Sequence, residues 1–272
     1  MKIATWNVNS IRTRLAHSLQ WLENNPDVDL LCLQETKVPD EVFPRSAFED
    51  AGFHLYIFGQ KSYNGVALIS RSPLEDVRLG FAGVLSPEIV GDLDDQKRVI
   101  SGVLNGIRIV NVYVPNGSEI ESEKYHYKLR WLKLLKVYLE DHLTRSPDLL
   151  ICGDFNIALE DIDIHNPKTR ATHIMSSDVE RSALREVLSL GLRDTFRKFT
   201  QDGDQYSWWD YRSASFVRNA GWRIDHHYVT DQLYDRTLSC TIDPEPRKLE
   251  QPSDHTPVIV ELADSQINSA MI

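Results

Sequence analysis

Leu149-Leu150-Ile151-Cys152-Gly153-Asp154-Phe155-Asn156 is an apolar run that breaks off into a glycine, an acid and an amide. A short apolar run of this kind suits a buried strand, and a strand that ends in Gly-Asp-x-Asn presents polar groups at a sheet edge, where a ligand can reach them. The same break recurs at Ile3-Ala4-Thr5-Trp6 into Asn7, at Leu30-Leu31-Cys32-Leu33 into Gln34-Glu35, and at Ser253-Asp254-His255 ahead of Thr256-Pro257-Val258-Ile259-Val260. Four such clusters from distant parts of the chain predict one composite site, and therefore an enzyme.

Around these runs, the 272 residues are 42% hydrophobic, enough for a substantial core. No Gly/Ser or Pro-rich linker, low-complexity tract or short-period repeat divides them, so one domain is expected over residues 1–264, followed by a short tail at 265–272. The hydrophobic runs are too short to span a bilayer, and Met1-Lys2-Ile3-Ala4-Thr5-Trp6 reads as a first strand, not a signal sequence. A soluble, cytoplasmic, monomeric protein with no membrane contact is expected. Cys32, Cys152 and Cys240 are odd in number and widely spaced, which fits buried reduced thiols better than disulfides or a cysteine zinc site. The net charge of -10 weighs against nucleic acid as a partner. It is only an average, and acidic metal ligands with an acidic back leave room for a basic face.

Strands are predicted over residues 2–7, 29–34, 53–59, 65–70, 98–104, 107–114, 148–153, 224–230, 238–242 and 256–262, with Asn105-Gly106 as a two-residue hairpin turn. Ser10 is a candidate cap for a helix carrying Leu15, Leu19 and Leu22. Ser122-Glu123 opens the longest helix, with Leu129, Leu132, Leu135, Leu139 and Leu143 as an apolar stripe, and another helix lies around 179–190. Hairpins mixed with crossover helices indicate an α/β protein with mixed, largely antiparallel sheets.

Asp154 and Asn156, two apart, share a face if strand pairing continues through Phe155, and a carboxylate with an amide suits a nucleophilic water and the oxygen it attacks. The same residues also suit an Asx turn closing the strand. Glu35 at a strand end is an oxygen ligand type for a hard cation such as Mg2+, and Asn7 can orient a ligand or a phosphate oxygen. Asp254-His255 places an imidazole beside an acid, and Asp225 is a second acid that would fix its tautomer and favour its charged form. His17, His54, His142, His226 and His227 read as ordinary surface or core residues.

Together with Trp6-Asn7-Val8-Asn9, Leu33-Gln34-Glu35-Thr36-Lys37, Asn111-Val112-Tyr113-Val114-Pro115-Asn116-Gly117 and Gly221-Trp222-Arg223-Ile224-Asp225, these motifs closely resemble the exonuclease III family of abasic-site endonucleases, within the endonuclease/exonuclease/phosphatase superfamily. Gly-Asp-x-Asn and Ser-Asp-His belong to the whole superfamily. Gln34-Glu35-Thr36-Lys37, Tyr113 with Pro115-Asn116, and Ser207-Trp208-Trp209-Asp210-Tyr211-Arg212 narrow it. The resemblance implies a DNase I-like four-layer α/β sandwich, two mixed sheets face to face with helices outside. It also implies Mg2+, with Mn2+ as a substitute, held by Glu35 with Asn7, Asp154, Asn156, Asp254 and His255 around it. Asp154, Asn156, Tyr113, Asp225 and His255 would then be catalytic. Lys37 and Asn116 would complete the phosphate contacts.

Between 206 and 223, six aromatic residues alternate with Arg212, Arg218 and Arg223. Aromatic faces beside guanidinium groups suit bases or a deoxyribose and phosphates, although at least half of these aromatics are expected in the core. Trp208, Trp209, Trp222 and Arg212 are candidate contacts to double-stranded DNA, with Lys124 and Lys128 from the long helix. Arg130, Lys133 and Lys136 are expected on its solvated face. The implied activity is Mg2+-dependent repair of DNA, hydrolysing the phosphodiester 5′ to abasic sites, with 3′ to 5′ exonuclease and 3′-end trimming. Its rivals are a phosphoesterase for inositol phosphates or lipid headgroups, disfavoured by the aromatic and arginine segment, and an inactive nucleic-acid binding module. The latter would be expected to have lost one of Glu35, Asp154, Asn156 and His255.

Overall fold

The computed structural model describes residues 1–264, so the tail expected at 265–272 lies outside the described residues. Twelve strands are described: β1 (Lys2–Asn7), β2 (Leu30–Gln34), β3 (His54–Phe58), β4 (Val66–Ser70), β5 (Glu75–Leu79), β6 (Val99–Leu104), β7 (Ile107–Tyr113), β8 (Leu149–Asp154), β9 (Leu192–Asp194), β10 (Asp225–Thr230), β11 (Thr237–Ile242) and β12 (Val258–Leu262). They form two six-stranded sheets, ordered β11-β12-β1-β2-β4-β3 and β5-β6-β7-β8-β10-β9. Each sheet has one parallel pair, β1 with β2 and β7 with β8, and is otherwise antiparallel. β5 and β9 are edge strands that the sequence did not announce, the first largely polar and the second three residues long.

Period-two alternation sorts every apolar strand into two faces. Ile3, Leu30, Cys32, Ile109, Leu150, Cys152 and Val229 meet between the sheets. Ala4, Trp6, Leu31 and Leu33 turn outward, in one core with Trp21 and Leu22 of the helix Leu15–Asn24. Leu149, Ile151 and Tyr228 turn outward onto the helices Glu123–Arg145 and Asp178–Leu188. The result is helix, sheet, sheet, helix, the four layers that the resemblance implied. Among the described residues no helix is long and apolar enough to cross a membrane.

The same parity places the site. Carrying each inward face to the strand end aims Asn7, Gln34, Tyr113, Asp154 and Asp225 into the space between the sheets, at one edge. Register brings them level, since Asn7 pairs with Gln34, Tyr113 with Asp154, and Asp154 with Asp225. Gly153 is required just before Asp154, because its φ is +145° and a Cβ there would lie 1.9 Å from the Val112 carbonyl oxygen.

Two local expectations are corrected. Ser10 does not cap a helix. The chain after Asn7 keeps following β2, with Ser10 N–H donating to Glu35 O and Ile11 N–H to Thr36 O, so the helix starts only at Leu15. Strand pairing reaches Phe155, whose N–H donates to Ile224 O at 2.9 Å, and stops there, so Asn156 does not extend the strand. Asn156 sits at φ +49°, and its N–H donates to Asp154 Oδ1 at 2.9 Å, which is the Asx turn.

The interior makes stability sensitive to acid. Burial, then the Arg223 guanidinium, push the His226 imidazole down to about 4, and burial, then Arg108, do the same to His142. Both rings are neutral when folded and gain protons on unfolding. Their stabilising effect is therefore complete above the ordinary histidine value of 6.5 and is lost as pH falls toward 4. For His226 alone the loss is about 3 kcal/mol. Urea unfolding near neutrality and at about pH 4.5 should show a change in wild type that differs from that in His226→Gln by the histidine loss, since every other titrating group is common to both; the same change in both would mean that the His226 ring is charged in the fold.

Candidate active site

Asp154 is the centre of the strand-edge cluster. Its Oδ1 accepts the Asn156 N–H, while Oδ2 accepts from Asn7 Nδ2 at 2.9 Å and Asn156 Nδ2 at 3.2 Å. Burial pushes its carboxyl up to about 7; the positive His255 opposes this, and Asp225 and Glu35 add to it. The group is thus poised to hold or release a proton near neutrality.

His255 lies between two acids. Its Nδ1 meets both Asp225 oxygens at 2.9 and 3.1 Å, and Nε2 faces Asp154 Oδ2 at 3.7 Å. Burial alone would lower its pKa, but Asp225 and then Asp154 raise it to about 10, so the ring is an imidazolium. Asp225 is held in turn by the Ser207 hydroxyl at 2.6 Å, and Ser207 Oγ accepts the Ile224 and Asp225 amides. Ser253 does the corresponding work across the sheet, donating to Asn7 O at 2.7 Å and accepting the His255 N–H.

Glu35 joins from the end of β2. Its Oε1 accepts from Asn7 Nδ2 at 2.8 Å and Oε2 pairs with Lys37 Nζ at 2.7 Å; these partners and Lys37's charge overcome burial and keep its carboxyl below the usual glutamate range. Burial first, then the Glu35 charge, raise the Tyr113 hydroxyl well above the ordinary tyrosine value, so it keeps its proton and can act as a donor. The Arg98 guanidinium covers the Tyr113 ring 4.5 Å from its centroid and donates to Tyr113 O.

A hard divalent cation fits part of this set. One ligand atom each from Glu35, Asp154 and His255 lie within 4.8 Å of one another. Two carboxylates converging where burial and mutual repulsion push one of them toward neutrality are suited to an oxygen-seeking cation. The remaining expected ligands are engaged elsewhere. Asn7 turns its NH2 toward the acids while Oδ1 accepts the Asn9 N–H, Asn156 spans Asp154 and Val114 O, and Asp254 accepts from Asn9 Nδ2 and Trp208 Nε1, both at 3.0 Å. His255, with both ring nitrogens facing carboxylates, is a donor and offers no free lone pair.

The expected DNA contacts divide. Asn116 is exposed and donates to Asn156 Oδ1 at 3.0 Å, and Lys124 is exposed on a cleft of about 580 Å³ shared with Arg98, Tyr113 and Asn116. Lys37 reaches Asn9 Oδ1 beside Glu35. Trp208 and Trp222 are half-buried, edge-to-face at 6.5 Å, with the His173 ring 4.9 Å from Trp222. Arg212 is 87% exposed, although it pairs with Asp210. Three expectations are corrected. Lys128 is fully buried against Glu180, Trp209 is 3% exposed and packs edge-on to Phe216, and Arg223 is buried between Asp163 and Asp194. None of the three is presented to a ligand: Lys128 and Arg223 meet acids from distant segments, and Trp209 is covered by the nearby Phe216.

Ser207, Ser253 and Asn9 stand in the motifs without a role of their own, yet they orient the catalytic groups, and Gln34 Nε2 donates to Asn111 Oδ1 at 2.7 Å in an inter-sheet pair that the motifs do not suggest. Strand parity was the available signal for the last, since Asn111 and Gln34 fall on inward positions of β7 and β2.

A family model described as Endonuclease/Exonuclease/phosphatase family matches residues 4–255. Exodeoxyribonuclease III of Haemophilus influenzae is 35% identical over 273 residues, covering 96% of this chain and 99% of that protein. The 3′ phosphatase NExo from Neisseria, solved with a product DNA hairpin, superposes with a TM-score of 0.91 at 41% identity, over 97% of this chain and 99% of that one. An AP endonuclease from Archaeoglobus fulgidus superposes with a TM-score of 0.89 at 40% identity, over 96% and 99%. The chain belongs to the endonuclease/exonuclease/phosphatase family, on the branch of the exodeoxyribonuclease III and abasic-site endonucleases.

Proposed function

We propose that this protein is a Mg2+-dependent DNA repair nuclease that hydrolyses the phosphodiester 5′ to abasic sites and removes nucleotides or blocking groups from 3′ ends of duplex DNA. The observation that carries the reading is the line Asp225, His255, Asp154: an imidazolium held between two carboxylates, contiguous and buried where the strands end. The printed activities of the relatives, an exodeoxyribonuclease III, a 3′ phosphatase and an AP endonuclease, all act on DNA phosphoesters and support the same reading.

In this reading Asp154, its carboxylate held by the Asn7 and Asn156 amides, takes the proton of the attacking water as its oxygen bonds to phosphorus; the bond to the 3′ oxygen of the preceding nucleotide breaks, and that oxygen leaves with a proton from solvent. His255, kept charged by Asp225, donates to a non-bridging phosphate oxygen and stabilises the charge that builds on it. Tyr113, held as a donor, and Asn116 orient the same phosphate. Glu35 and Asp154 would hold the cation, Mg2+ or Mn2+, whose contribution when bound is electrostatic stabilisation of the phosphoryl oxygens. Trp208 and Trp222, half-buried beside Asp254 and His173, offer aromatic faces to an extrahelical sugar, and an abasic deoxyribose has no base pair or stack to break. The protein would act as a single domain over residues 1–264, a cytoplasmic monomer on double-stranded DNA.

The test is a duplex with one stable abasic analogue and, separately, a recessed 3′ end, each incubated with Mg2+ or with chelator. A nick 5′ to the lesion and shortening of the 3′ strand, both abolished by chelator, are expected. Folded protein that leaves both substrates intact in Mg2+ would overturn the reading.

A further inference from the structure

We infer that Lys128 is a positioning residue for the catalytic amides, acting through a buried ion pair with Glu180. The inference rests on the nuclease reading and adds a residue that never touches the phosphate. The Lys128 side chain is 0% exposed, at the second turn of the helix Glu123–Arg145. Its ammonium donates to Asn156 O at 2.8 Å, to Asn116 O at 3.1 Å and to Glu180 Oε1, so all three of its protons have acceptors.

Stability does not by itself explain this arrangement. A buried ion pair is often matched or exceeded by apolar residues of similar volume, because both charges must leave water. What apolar residues cannot do is hold two carbonyls. Those carbonyls belong to Asn116 and Asn156, whose side chains form a relay onto the proton-accepting group, Asn116 Nδ2 to Asn156 Oδ1 at 3.0 Å and Asn156 Nδ2 to Asp154 Oδ2 at 3.2 Å. Asn156 lies in the left-handed region at φ +49°, a conformation that surrounding contacts must maintain.

Glu180 extends the fastening to the far side of the site. Its Oε1 accepts the Met175 N–H at 3.0 Å, and its Oε2 accepts the Ser177 N–H at 3.1 Å and the Ser177 hydroxyl at 2.6 Å. Met175 is also left-handed, at φ +71°, and two residues before it His173 rests against Trp222. One buried pair therefore ties the 114–117 loop, the turn after β8 and the 173–177 loop to a common point behind Asp154.

The experiment compares Lys128→Met, which strands a buried carboxylate, with Lys128→Met/Glu180→Gln, which removes both charges yet keeps an amide oxygen for the Ser177 N–H and hydroxyl and should regain part of the unfolding stability. On the abasic duplex, the folded double variant is expected to lose kcat by about 100-fold with KM within about threefold of wild type. The side-chain amide NMR signals of Asn116 and Asn156 should shift in the same variant without DNA. Wild-type amide signals and wild-type kcat in a stable double variant would overturn the inference. Absence of cleavage by the wild type would instead strike at the nuclease reading, leaving the amide signals to decide the role of Lys128.

Discussion

Asp154→Asn is expected to lower phosphodiester hydrolysis by about 10²–10⁴-fold while leaving the protein folded. The substitution keeps size and shape and retains an oxygen for the Asn156 N–H, so the Asx turn can persist. It removes the oxygen that can accept a proton, together with the negative charge facing His255 Nε2 at 3.7 Å. Stability should respond in the opposite direction. The Asp154 carboxyl is raised in the fold from 3.8 to about 7, so its stabilising contribution is full below 3.8 and is lost as pH rises through about 7. With chelator present, the ionised group is a burden above about 7, and the amide should melt at the same or a higher temperature there. Initial rates on the abasic duplex and thermal melts test both halves. Activity within threefold of wild type would remove Asp154 from the proposed role.

Arg223→Met is expected to cost about 3–5 kcal/mol of unfolding free energy. Arg223 donates through Nε and Nη2 to the Asp163 carboxylate at 2.8 and 3.2 Å, reaches Asp194 Oδ2 at 2.7 Å, and lies beside His226 Nδ1 at 3.0 Å, all in the interior. Methionine fills the volume but strands two carboxylates, of which Asp163 retains Arg197. Burial would raise the Asp163 carboxyl, yet Arg223 foremost holds it at about 2. That contribution is present above the ordinary 3.8 and is lost as pH falls toward 2. The gap between wild type and variant should therefore be widest near neutrality and should narrow in acid. Urea unfolding at several pH values measures it, and a cost under 1 kcal/mol would mean that the site relaxes to admit water.

Much of the site was legible because the chemistry sits where hydrophobic patterns stop. Asn7, Glu35, Tyr113, Asp154 and Asp225 all lie at or beside strand ends, and the contact of Asp225 with His255, 30 residues apart, follows the logic of an imidazole tuned by a carboxylate. The basic residues were harder to read. Lys124 and Lys128 are four apart on one helix and look alike in sequence, yet the first is exposed and the second is sealed beneath Glu180 from a different helix. Trp208 and Trp209 are neighbours, and one faces the site while the other packs on Phe216.

What the sequence alone determined was parity and punctuation. Apolar runs with period two select the strands, and a polar residue at the inward phase of a strand end, as in Cys152 to Asp154, has to open into the space between the sheets. What only the tertiary structure decided was pairing across the chain: which cation meets which acid, which indole is covered, and which way an amide such as Asn7 turns. The physical reason is range. Side-chain alternation is set by the local backbone, whereas burial of a charge depends on partners that folding brings from elsewhere, as Glu180 reaches Lys128 and Asp163 reaches Arg223.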